Sequence, residues 1–103
     1  MNNQTARVVI HHREQFGEVP IERIGLKLAE EVGELSSAII RDLERRDDRS
    51  WRPQIESELM DCLVVLHVIA GRYGWNLEGL SEDAVYRFEG RKWSVTKPEE
   101  TNA

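Results

Sequence analysis

A chain of 103 residues, 40% of them hydrophobic and 32% charged, has the balance of one small globular domain with room for a modest core. Its net charge of −5 argues against a non-specific nucleic-acid binder, which carries a basic excess, so a polyanionic ligand must be met by a metal ion or by locally placed cations. The longest apolar run, residues 62–70, is interrupted by His67 and falls far short of the ~20 residues that span a bilayer. MNNQTAR at the amino terminus lacks the apolar segment of a secretory leader, so a cytoplasmic protein without membrane or nucleic-acid partners is expected. The lone Cys62 cannot close an internal disulfide and reads as a buried thiol.

Taken in chain order, the pattern is helical throughout. Thr5 to Phe16 forms a first helix with Val8, Val9, His12 and Phe16 on one side, ended by Gly17. After the turn GEVP, Pro20 suits the first turn of a second helix. Its apolar positions Ile21, Ile24, Leu28, Val32, Leu35 and Ile39 keep a helical rhythm that fades near Arg46. The stretch RRDDRS is a charged connection. Ser50 and Pro53 introduce a third helix that runs towards Gly71 or Gly74, apolar nearly all round between Leu59 and Ala70 and hence expected at the centre of the fold. A fourth helix covers Leu77 to Lys92, and the tail from residue 94 to 103 has little to bury. The expectation is an all-α, single-domain, four-helix bundle with its core over residues 5–93. Three short neighbours cannot readily cover the third helix, so a homodimer or homotetramer through the second and third helices is expected.

Two short patterns carry the chemistry. EEVGEL places Glu31 and Glu34 three residues apart on the second helix, and ESELMD places Glu58 and Asp61 likewise on the third. Standing alone, one such pair is usually a solvated face. Here the pairs match in register: Glu34 and Glu58 each lie twelve residues from Arg46, and Glu31 and Asp61 each lie fifteen. In an antiparallel hairpin both pairs then meet roughly 18 to 23 Å from the turn, at ~1.5 Å per residue. Asp61 precedes CLVVL, and an aspartate buried there is costly unless paired or coordinated. Four converging carboxylates repel one another, which a divalent cation relieves. The donors are all hard oxygens and neither pattern carries a histidine at its third position, which favours Mg²⁺, with Mn²⁺ able to replace it, over zinc or a di-iron centre.

With EEVGEL followed by ESELMD, the wider KLAEEVGELSSAI and the closing FEGRKW, the chain resembles the MazG-like nucleoside triphosphate pyrophosphohydrolases over roughly Ile21 to Trp93. The resemblance implies an all-α enzyme that hydrolyses (deoxy)nucleoside triphosphates between the α and β phosphates. It implies Glu31, Glu34, Glu58 and Asp61 as metal ligands, and Glu34 or Glu30, the former favoured, can orient or deprotonate the attacking water. Lys27, one turn before Glu31, can point into the same cleft. The family's basic carboxy-terminal helix implies phosphate contacts from Arg87, Arg91 and Lys92, although this chain has an arginine where a lysine is common. Its first helix implies a base pocket using His12 and Phe16, whose rings can stack on a base. Trp51, Trp75 and Trp93 are further stacking candidates. His67 reads as a satisfied core histidine and His11 as exposed. Two alternatives stay open: the related phosphoribosyl-ATP pyrophosphohydrolases, and a non-catalytic helical dimerisation module.

Overall fold

A computed structural model describes residues 3–44 and 49–90. They form four helices, α1 Gln4–Phe16, α2 Ile21–Glu44, α3 Arg52–Arg72 and α4 Leu77–Glu89, with 85% of the described residues helical and no strand among them. The expected all-α fold is therefore present, with helix starts within two residues of the sequence reading. Arg45 to Asp48, and everything from Arg91 onward including Arg91, Lys92 and Trp93, lie outside the described residues.

The hairpin of α2 and α3 is the main body. The backbone N–H of Trp51 donates to Asp42 Oδ1 at 2.9 Å near the turn. Further along, Glu34 meets Glu58, and Ile24 packs with Val65 and Val68. These pairings run in opposite chain directions, so the helices are antiparallel. Along the α2 seam lie Ile24, Leu28, Glu31, Leu35 and Ala38, all buried or half-buried. Ile55, Glu58, Cys62, Val65 and Ile69 form the α3 seam in the same way. Each seam advances by alternating steps of three and four residues, the pattern that keeps one face of a helix against its neighbour. Each also gives one core-facing position to a glutamate.

Two expectations about burial need correction. α3 does touch all three other helices, but Leu59, Met60, Leu63 and Val64 each remain about half exposed, because only α2 covers this helix along its length. The apolar setting of Asp61 is consequently an exposed one, and Asp61 itself is exposed, on the flank of α3 beside the seam. Glu31, 6% exposed, is the carboxylate that is buried. On α2, Val32 and Ile39 also lie outside the seam, which passes through Glu31 and Ala38 instead.

At the far end of the hairpin, α1 and α4 are fastened to α3 by a closed set of polar contacts. Asn3 caps α1, accepting from Ala6 N–H at 3.0 Å, and its Oδ1 also accepts from Asn76 Nδ2 at 3.1 Å. Asn76 caps α4, accepting from Glu78 N–H and Gly79 N–H. Glu78 in turn accepts from Gln4 N–H at 3.0 Å. Thr5 Oγ1 accepts from Leu77 N–H at 2.9 Å and stands 2.8 Å from His67 Nδ1. Gly74, at φ 79°, supplies the left-handed turn between α3 and α4. Gly71 lets α1 sit directly on α3, for a methyl at this position would collide with Val9 Cγ2.

Candidate metal centre and substrate groove

All four carboxylates singled out in the sequence converge. Glu31, Glu58 and Asp61 each present an oxygen, and the three lie within 4.8 Å of one another. Glu30, Glu31 and Glu34 form a second such group, so Glu31 belongs to both. The hairpin register produces this: Glu31 and Glu58 sit in facing seams, and Glu34 and Asp61 follow one turn along on the flank. In the seam, Glu31 Oε2 and Glu58 Oε2 are buried and have no hydrogen-bond partner among the described residues. A buried carboxylate oxygen without a donor is costly, and two of them in one cluster fit a site for a hard divalent cation.

The electrostatics agree. The charge of Glu31, then burial, then Glu58 push the proton affinity of Glu34 above the usual carboxylate range. Burial raises the Cys62 thiol, with the charges of Glu31 and Glu58 adding to it, so this cysteine stays a protonated, buried packing group as expected. Lys27 is the one cation at the cluster among the described residues. Its Nζ lies 3.0 Å from Glu31 Oε1 and 3.7 Å from a Glu30 oxygen, and those carboxylates hold its proton more firmly than usual.

From Lys27 a groove of about 390 Å³ runs between α1, α2 and α3, lined by His12, Phe16, Arg23, Ile24, Val65 and Val68 among others. His12 and Phe16 pack with ring centroids 5.0 Å apart and their planes tilted by 48°. Thus the base and phosphate candidates on α1 and α2 share one groove, and Lys27 links it to the carboxylates through Glu31. Arg23 is the residue that the sequence reading missed. It stands one turn before Lys27, and that i, i+4 relation was the signal that could have found it. Arg87 is placed elsewhere: α4 packs on α1 and α3 and makes no contact with α2 among the described residues. Of the tryptophans, Trp51 is clasped by Arg41 and Arg49 at the hairpin turn, and Trp75 stacks on Tyr73 after α3. Neither lines the groove.

An all-helical hairpin with paired E-x-x-E and E-x-x-D carboxylates around one site, beside a groove with cations, offers hard oxygen donors for a divalent ion and positive charge for a polyanion. Residues 20–96 match the model of the MazG nucleotide pyrophosphohydrolase domain, and the chain belongs to this family. It is on that ground a nucleotide pyrophosphohydrolase, of a family that depends in general on divalent metals. No curated protein and no solved structure matched the chain. No described helix is long and apolar enough to cross a membrane.

Proposed function

We propose that this chain hydrolyses (deoxy)nucleoside triphosphates between the α and β phosphates, releasing a nucleoside monophosphate and pyrophosphate, with Mg²⁺ as its ion and Mn²⁺ able to replace it. The observation that carries this reading is the pair of buried oxygens on Glu31 and Glu58 without a partner among the described residues, next to Lys27, which shares a groove with Arg23 and two aromatic rings. Glu31, Glu58 and Asp61, with Glu34 beside them, would hold the ion, which when bound would supply positive charge to the phosphates and to the leaving pyrophosphate.

The chain's own residues do the rest. Glu34 is exposed, adjoins both Glu31 and Glu58, and is the group we assign to orient the water and accept its proton at a carboxylate oxygen; Glu30 is the alternative. Lys27, beside Glu31, and Arg23 line the same groove and offer it two positive charges for phosphate. His12 and Phe16 offer their rings to the base. The half-exposed apolar residues Val32, Ile39, Leu59 and Leu63, together with an α4 that has no buried residue, support a homo-oligomer that covers the outer face of α2 and α3. Arg87 then serves a site only if that assembly brings α4 to it.

The test is a metal-stripped preparation assayed on a panel of triphosphates before and after Mg²⁺ is added. Metal-dependent release of pyrophosphate is expected. Release of orthophosphate, or turnover indifferent to chelation, would overturn the reading. Including phosphoribosyl-ATP in the panel decides between the two enzyme families, and absence of all turnover would favour the dimerisation module.

A further inference from the structure

α1 and α2 form two walls of the groove, yet among the described residues each packs on α3 and neither approaches the other. They are joined by residues 17–20, GEVP, in which Gly17 turns through φ 70°. This short connection is fixed at Val19 from two sides. The Val19 side chain packs against the core cluster of Ile24, Val65 and Val68 and lines the groove. The Val19 carbonyl accepts from Arg72 Nη2 at 2.6 Å, the one hydrogen bond among the described residues between the connection and α3. Arg72 closes the last turn of α3, is half-buried, and has no ion pair among the described residues. A cation at this end of a helix already suits the helix dipole, and a surface lysine would do that as well. Here the guanidinium is committed to a carbonyl 53 residues away in sequence, and a hydrogen bond from a charged donor is short and strong.

We propose that Arg72 is a positioning residue of the groove: by latching the connection to the end of α3, it holds Phe16 and Arg23 in the alignment that binds the triphosphate. The inference rests on the triphosphate reading above. Phe16 and Arg23 line opposite walls and lie three and four residues from Val19, so both inherit the placement of the connection. Arg72 does not line the groove itself, and it acts through Val19. α1 is seated on α3 at Val9 and Gly71, about two turns before Phe16, which is exposed. Freed of the latch, the end of α1 can drift from the start of α2. The carboxylates lie further along the α2–α3 seam and are untouched by that movement.

The test compares the wild type with Arg72→Met, which keeps an apolar stem without a donor, and with Arg72→Lys, which keeps the charge and a donor. In Arg72→Met the KM for the triphosphate should rise roughly five- to tenfold, the worth of one hydrogen bond, with kcat held within about twofold. Arg72→Lys should recover a large part of that loss. A merely structural role would lower the amount of folded enzyme, and so the apparent kcat, with KM unchanged. An unchanged KM in Arg72→Met, or a rise that lysine does not reduce, overturns the proposal. A second measurement needs no turnover. Without nucleotide, Arg72→Met should speed hydrogen exchange several-fold at the Gly17, Arg23 and Ile24 amides, which are bonded at the two ends of the connection, and leave the Glu34 amide unchanged. Equal exchange in the two proteins, or faster exchange throughout, overturns the latch. A third needs no variant: in wild-type protein labelled with ¹⁵N at arginine, the two Nη groups of Arg72 should give separate resonances, because the bond to Val19 slows their interchange. One averaged resonance overturns the latch. Failure to hydrolyse any triphosphate counts against the pyrophosphohydrolase reading instead, and the exchange and resonance measurements still decide whether Arg72 holds the connection.

Discussion

Where α1, α3 and α4 meet, Asn3, Thr5, His67, Asn76 and Glu78 exchange hydrogen bonds so that the starts of α1 and α4 are capped and Thr5 and His67 are paired inside. Midway along the α2–α3 hairpin the opposite holds, for Glu31 and Glu58 each bury an oxygen that no described residue satisfies. Both regions place polar side chains in the interior, and both draw them from distant parts of the sequence. The first spends its polar atoms on fixing three helices together. The second leaves them without partners, which costs free energy in a low-dielectric interior and suits the carboxylates to a cation.

The difference can be probed by substitution. The largest effect is expected for Glu31→Gln, which removes the carboxylate common to both acidic groups. Initial rates with saturating Mg²⁺ should fall by about two orders of magnitude or more, and the rise in Tm on adding Mg²⁺ should vanish. A variant that kept its metal-dependent rate would break the contrast. At the other region, Thr5→Val strands the Leu77 N–H and the His67 nitrogen in the interior and should cost about 1–3 kcal/mol in urea unfolding. That variant should still show its Mg²⁺-dependent rise in Tm, since nothing at the carboxylates has changed. Asn76→Ala, which uncaps α4, should cost roughly 1 kcal/mol, measured the same way.

The smallest effect concerns pH. Glu34 binds its proton more tightly in the folded chain than in the unfolded one, because Glu31, burial and Glu58 all oppose its charge. Its contribution to stability is therefore fully present below the ordinary carboxylate value and is lost as the pH rises through the raised one. Without metal, the Tm of Glu34→Gln relative to wild type should climb as the pH moves up through this window. Saturating Mg²⁺ should flatten the difference, and a difference that is flat without metal would show that Glu34 is not strained by its neighbours.

Much of the second region was legible in the sequence. Equal arm lengths about Arg46 placed Glu34 against Glu58 and Glu31 against Asp61, since an antiparallel hairpin turns sequence distance directly into height along the helix. Which of them is buried was not legible. Asp61 has the more apolar neighbours in sequence, but burial depends on what lies opposite a residue, and the seam selects Glu31 and Glu58. The first region was nearly invisible beforehand. Asn3, Thr5 and Asn76 are ordinary polar residues, and their partners lie more than sixty positions away. Likewise Arg23 looked like any surface cation until α1 was seen to close a groove over it.

One glycine acquires a further meaning from this arrangement. Because Gly71 carries no side chain, α1 lies as near to α3 as two backbones and Val9 allow. The rings of His12 and Phe16 ride on that same helix, one to two turns beyond Val9. The width of the cleft is thus set by a missing carbon atom on the wall opposite. A larger residue there would swing the aromatic pair outward on α1, so the cleft can be reshaped from a position outside its own lining.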